Sequence, residues 1–261
     1  MIAEIFIEDW RKSVKWQTLA QIEQDLIISR TLIDLYNEPH IKEALVFRGG
    51  TALNKLFIKP PVRYSEDIDF VQKRSEPIGK TIDAIRELLN PWLGDPKWKI
   101  TQRSAKLIYR YESINKMPEK LKIEINTTEH FQVLPLKIEK FSIDSEWFKG
   151  SADIATYEID ELMATKLRAL YQRRKGRDLF DLWYVAAHEL INLNRVFDIF
   201  SKYCAYNNIE ISREEFIENL ELKKNYRDFH IDMSNLLPSK LHWNFEEAYQ
   251  FVLENVIRKM P

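Results

Sequence analysis

One cysteine, Cys204, occurs in 261 residues. That excludes a disulfide framework and a cysteine-rich zinc site, and it fits a reducing compartment. No histidine pattern accompanies Cys204 to suggest a thiol nucleophile. The histidines, His40, His130, His188, His230 and His242, are scattered with no metal-ligand spacing. An excess of one charge is also missing. The 39 basic and 40 acidic residues leave a net charge of -1. No global basic field draws the chain to nucleic acid, so any such contact must come from a local patch. No uncharged apolar run approaches the roughly 20 residues a membrane helix needs. The opening MIAEIFIEDWRKSVKW has charges inside its apolar stretch and no small-residue cleavage site, so no cleaved leader is expected. The expected location is cytoplasmic, without a membrane partner. With 6 glycines and 10 prolines there is little room for flexible linkers, and no repeat or low-complexity tract is visible.

What remains is the balance of an ordinary globular protein, long enough for one large domain or two modest ones. Apolar residues at helical spacing predict a helix over 16–36, ended by Asn37-Glu38-Pro39. A short buried strand is expected over 44–47. Thr51 is a candidate N-cap for a helix through Ala52 and Leu56, stopped by Pro60-Pro61. Strands are expected over 68–71, 98–102, 107–111 and 121–126, and a helix over 78–89. Residues 131–150 read as irregular with a short extended piece. From Glu158 the pattern turns helical. Met163, Leu167 and Leu170 mark one core face, and Leu179, Leu182, Trp183 and Ala186 mark the next, after a break at Lys175-Gly176. The expected division is a mixed α/β half, 1–150, and a helical half, 151–261.

The chemistry concentrates in FRGGTALNKLFIKPPVRYSEDIDF, Phe47 to Phe70. Two glycines before a helix allow a sharp turn and close backbone approach, and the helix start offers N–H groups to a phosphate. The same pair also serves as a plain strand-to-helix turn. Asp67 and Asp69 fall on one face of a strand, with Ile68 and Phe70 on the other. Such a pair can chelate a hard cation such as Mg²⁺. Glu124 alternates with Ile123 and Ile125 on another strand and is the candidate third acid. Arg48 and Ser65 flank these motifs and are grouped with Gly49, Gly50 and Thr51 as nucleotide-binding candidates. Further on, MATKLRALYQRRKGR (163–177) holds basic residues and no acid. Lys166 can act as a point charge on phosphate, and Arg168, Arg173 and Arg177 can fork onto phosphates of RNA. Asp178 and Asp181 follow one helical turn apart.

FRGGTALNKLF, RYSEDIDF, KIEIN and ELMATKLRALYQRRKGRDLFDLW, in that order, resemble the AbiEii/AbiGii nucleotidyltransferase toxin family. That family includes abortive-infection toxins of phage defence and the MenT toxins. The resemblance covers roughly 45–183; the last third matches only in being helical. It implies an α+β fold, with a polymerase-β-like nucleotidyltransferase core of mixed β-sheet and flanking helices plus a C-terminal helical domain. The family's glycine-glycine-Ser/Thr motif falls on Gly49, Gly50 and Thr51, its acidic pair on Asp67 and Asp69, and its lysine on Lys166. Its later aspartate falls on Asp178 or Asp181. Glu124 sits where such cores often supply a third acid. The resemblance implies Mg²⁺ or Mn²⁺, a nucleoside triphosphate, an RNA acceptor (in some members the 3′ end of tRNA) and a cognate antitoxin. Two rival expectations stay open: transfer to a protein or small-molecule hydroxyl, and a catalytically silent binding protein on the same scaffold.

Overall fold

The structure, a computed structural model, describes residues 2–238, 241 and 243–261. The chain divides into two compact units. One runs to Tyr157 and takes in Leu237; the other starts at Glu158.

The first unit opens with α1 (Glu4–Trp10), α2 (Leu19–Tyr36) and α3 (Pro39–Ala44). Thr18 closes a capping box with Gln21, so α2 begins at Leu19 rather than at Trp16. Helix α3 was not expected from the sequence. Glu38 caps it by accepting from the Ile41 N–H, and Pro39 occupies its first turn. Then come β1 (Leu45–Arg48), α4 (Gly49–Ala52) and a π-helical turn, Leu53–Phe57. Arg48 is the N-cap of α4, so the capping role expected of Thr51 is not observed. Gly49 adopts φ +81° and turns the chain into the helix three residues early.

The remaining elements are β2 (Asp67–Gln72), α5 (Gly79–Leu93), β3 (Lys97–Ile100), β4 (Ser104–Glu112), β5 (Pro118–Asn126), β6 (Lys137–Asp144) and β7 (Lys149–Thr156). α5 carries Pro91 inside it, so Asn90-Pro91 does not end it. The stretch expected to be irregular instead forms β6 and the start of β7. Its signal is weak because β6 is an edge strand that buries only Phe141 and Ile143 and leaves Ile138 57% exposed. The seven strands lie in the order β3-β4-β5-β2-β1-β7-β6. The β2–β5 and β1–β7 pairs are parallel and the rest antiparallel. This mixed sheet with flanking helices bears out the α+β expectation.

One side of the sheet is apolar. Phe47, Ile68, Phe70, Leu107, Tyr109, Ile123 and Ile125 are all buried. Tyr36 of α2 meets Phe70, and the Tyr109 hydroxyl reaches Asn90 of α5. The other side carries the charges.

Strand β7 runs through Gly150, the expected boundary, and the second unit begins beyond it. That unit holds α6 (Ile159–Gln172), α7 (Gly176–Ala187), α8 (Leu193–Tyr206), α9 (Arg213–Lys224), α10 (Arg227–Ile231) and α11 (Phe245–Asn255). Among the described residues it contains no strand. Met163, Leu167, Leu170, Leu179 and Leu182 are buried as expected. Trp183 is half-buried and packs against Phe180 and Trp243. The Lys223 ammonium donates to the carbonyls of Leu170 and Tyr171, two of the last carbonyls of α6. Burial pushes the Cys204 thiol up, away from the reactive thiolate.

Candidate functional site

The strand register assembles the site of the first unit. Directly opposed residues share a face, and here Arg48 lies opposite Asp69, and Asp69 opposite Glu124. Two residues along, Asp67 lies opposite Lys122. The expected acids are therefore on one face of adjacent strands, as alternation required. Lys122 donates to Asp67 at 2.7 Å and reaches Glu124 at 3.4 Å, and Lys106 holds Glu124 at 2.9 Å. Neither lysine was a candidate from the sequence. The alternation that exposes Glu124 exposes Lys122 as well, but only the register brings it to Asp67.

Among the described residues no lysine is ion-paired with Asp69. Burial, and then the neighbouring charge of Asp67, raise its pKa above the usual aspartate value of 3.8, with Lys122 and Arg48 opposing. Burial also opposes the charge on Arg48. Tyr157, Glu129 and Asp69 outweigh it and hold the guanidinium firmly protonated. Arg48 itself ion-pairs with Glu129 at 2.8 Å.

The glycine turn is fitted to the carboxylate. A Cβ on Gly49 would lie 2.8 Å from Asp69 Oδ2, so only glycine lets Asp69 pack there. The Thr51 hydroxyl donates to the Asp67 carbonyl at 2.6 Å and ties α4 to the start of β2. Asn54 donates to the Gly50 carbonyl. Lys55, in a buried ion pair with Asp25, anchors the π-helical turn to α2. The Ser65 hydroxyl is buried and has no hydrogen-bond partner among the described residues.

Two adjacent carboxylates, one with its ionisation suppressed by burial and then by the other, suit a hard divalent cation. Among the described residues, no group of three acidic, histidine or cysteine side chains is arranged to hold an ion. Glu124 is occupied by its two lysines. Asp67 shares Lys122 with it, so the Asp67–Asp69 pair would meet a cation only once Lys122 yields. The pair fits Mg²⁺, which commonly takes one or two carboxylates and completes its shell from substrate phosphates.

The other expected residues cluster within the helical unit. Lys166 is buried and lies 2.9 Å from both Asp178 and Asp181. Arg173 donates to both oxygens of Asp178, at 2.7 and 2.9 Å. Burial disfavours the Asp178 carboxylate, but Lys166 and Arg173 outweigh it and hold the pKa well below the usual range. Both aspartates thus belong to one arrangement around Lys166. Arg168 is buried, with its guanidinium 5.0 Å from the Tyr203 ring. Arg177 is paired with Asp232 at 3.0 Å. His242, given no role from the sequence, lies outside the described residues.

The family model for the nucleotidyl transferase AbiEii toxin, type IV toxin–antitoxin system, matches residues 31–251. The chain belongs to this family. It is therefore a nucleotidyltransferase toxin of a type IV toxin–antitoxin system, acting on a nucleoside triphosphate and paired with an antitoxin. Two solved structures share the fold of this AbiEii-family toxin. MenT4, a nucleotidyltransferase toxin from Mycobacterium tuberculosis, is 15% identical with a TM-score of 0.70, over 100% of this chain and 91% of that one. JHP933 from Helicobacter pylori is 20% identical with a TM-score of 0.57, over 92% of this chain and 94% of that one. No curated protein matches the sequence. Among the described residues no helix is long and apolar enough to cross a membrane.

Two outcomes are expected from this geometry. Gly49→Ala strains a left-handed backbone by about 1–2 kcal/mol and displaces the Asp69 carboxylate, so it lowers the melting temperature and abolishes nucleotidyl transfer together. Unchanged melting and activity would show that the turn is not fitted to Asp69. Lys166→Ala leaves two buried carboxylates short of a counter-charge and costs roughly 3–5 kcal/mol, read by denaturant unfolding. The depressed pKa of Asp178 contributes stability above the ordinary carboxylate range, and that contribution is lost as pH falls below it. Asp178→Asn should therefore flatten the acid limb of the stability profile. A Lys166→Ala protein that melts normally yet transfers nothing would instead place Lys166 on the substrate.

Proposed function

We propose that this AbiEii-family toxin transfers a nucleoside monophosphate from a nucleoside triphosphate to a hydroxyl of an RNA acceptor, the 3′ end of tRNA, with Mg²⁺ or Mn²⁺. The observation that carries this reading is the Asp67–Asp69 pair on β2, packed against a glycine turn that has no room for a Cβ. Asp67 and Asp69 would hold the cation, with triphosphate oxygens as its remaining ligands. Bound there, the cation supplies charge neutralisation on the reacting phosphate and the departing pyrophosphate.

The protein groups do the positioning. The backbone at Gly49-Gly50, at the start of α4, offers N–H groups to phosphate oxygens. Arg48, one strand over from Asp69, sets a fixed positive charge beside them. Ser65 has a buried hydroxyl free to donate to an incoming oxygen. Thr51 acts through Asp67, whose carbonyl it holds, rather than on the phosphate. In the reaction the acceptor hydroxyl gives up its proton to solvent and its oxygen bonds to the α-phosphorus as the bond to pyrophosphate breaks. Lys166, shared between Asp178 and Asp181, is a positioning residue of the helical unit in this reading. Glu124 keeps Lys122 and Lys106 in place rather than serving as a third metal ligand.

The test incubates the protein with each labelled triphosphate, Mg²⁺ and total tRNA, and resolves the products on a denaturing gel. Label is expected on tRNA, falling by more than about 100-fold in Asp67→Asn and Asp69→Asn, beyond the usual effect of changing a residue behind the metal ligands. Label on protein would replace the acceptor. Retained transfer in both variants would remove the carboxylates from the chemistry. The raised pKa of Asp69 gives kcat/KM an acid limb above 3.8. The same shift costs the fold stability as pH rises through that pKa. Asp69→Asn should therefore melt higher than the wild type at neutral pH while losing activity.

A further inference from the structure

Resting on the reading of an RNA acceptor, we propose that the exposed face of β3, β4 and β5 is the track that holds the acceptor's phosphate backbone. The register draws it. Asp69 lies opposite Glu124, Glu124 opposite Lys106, and Lys106 opposite Lys99. One row of side chains thus runs from the carboxylate pair to the sheet edge. At roughly 4.8 Å per strand, Lys99 stands about 14 Å from Asp69. The next row reads Asp67, Lys122, Ile108, Lys97, and beyond it Lys120 lies opposite Arg110. The alternate residues of β4 and β5, among them Leu107, Tyr109, Leu121 and Ile123, are buried on the other side. Each of the three strands therefore sets two cations on the exposed face, against Glu112 and Glu124.

Lys106 and Lys122 are engaged with the site's carboxylates. Lys97, Lys99, Arg110 and Lys120 are exposed and, among the described residues, form no ion pair. Lysines on an edge strand also discourage strand pairing. That accounts for Lys97 and Lys99 but not for Arg110 and Lys120, which lie on interior strands. In a chain of net charge -1 this concentration is local, and it abuts the carboxylate pair. A polyanion whose reactive end sits at Asp67 and Asp69 would lie along it. The ring-bearing residues of these strands, Trp98, Tyr109 and Tyr111, alternate to the opposite face. The grip is therefore on phosphates and reads no base sequence. The arginines of α6 and α7 are by contrast engaged with Tyr203, Asp178 and Asp232.

The test measures fluorescence anisotropy of labelled tRNA with the full chain over a range of salt, for the wild type and for Lys97→Ala, Lys99→Ala, Arg110→Ala and Lys120→Ala combined. Triphosphate binding and nucleotide transfer are read on the same samples. The combined variant is expected to bind tRNA at least about tenfold more weakly, with a salt slope shallower by about 3, at about 0.7 for each phosphate no longer neutralised. KM for tRNA should rise, while triphosphate affinity and kcat at saturating tRNA hold. Unchanged affinity and slope would overturn the track and leave the RNA acceptor standing. Wild-type protein that grips tRNA through these residues but labels none would sustain the track and remove the acceptor reading. No affinity for tRNA, with the same residues needed to bind an acidic protein counterpart, would overturn the assignment to RNA.

Discussion

Asp67 and Asp69 project from the same side of one strand in a half-buried place, and their mutual repulsion organises what surrounds them. Lys122 answers the charge of Asp67, and Lys106 and Lys122 together answer that of Glu124. Asp69 is left with Arg48 one strand over and a glycine turn against its oxygen. Burial, and then that repulsion, raise the pKa of Asp69. A fold that keeps such a pair gives up stability at neutral pH, and a cation bound in the proposed seat would restore it by mass action. The surrounding hydrogen bonds and ion pairs hold the strain in place. Thr51 holds the Asp67 carbonyl, Asn54 holds Gly50, and Lys55 fixes the π-helical turn to α2 through Asp25.

The helical unit handles its own buried charges differently. Lys166 and Arg173 surround Asp178, and Lys166 also meets Asp181, so positive charge balances negative. Such a cluster is costly to break and weakly attractive to an external anion. The two units thus hold opposite electrostatic designs: an acidic pair short of cations on the sheet, and a compensated group among the helices. The sequence presents both as conspicuous charged motifs, and only the partners distinguish them.

The legible part was what local periodicity controls. Alternation put Asp67 and Asp69 on one face and Glu124 on the exposed side of its strand. Helical spacing found the core faces of α6 and α7. The glycine pair announced a turn before a helix. What was hidden depends on neighbours distant in sequence. Lys122 meets Asp67 only through parallel pairing of β2 and β5. Gly49 is needed because of a side chain 20 residues later. Arg177 looked available for RNA until Asp232 appeared beside it, 55 residues away. Strand β6 was missed because an edge strand with one partly covered face carries little apolar alternation, and β7, an interior strand between β1 and β6, begins inside the stretch that reads as irregular. Capping moved the helix starts by three residues, since side-chain hydrogen bonds at Thr18 and the backbone of Gly49 override apolar period there.

In the proposed reaction the β2 carboxylates and the glycine turn together would seat a divalent cation bearing a triphosphate. Electron paramagnetic resonance of Mn²⁺ tests it most directly, titrated into the protein with a non-hydrolysable triphosphate, for the wild type and for Asp69→Asn. Mn²⁺ binding is expected to tighten when the triphosphate is present and to be lost in the variant. Equal Mn²⁺ binding by both proteins, or binding indifferent to the triphosphate, would contradict it.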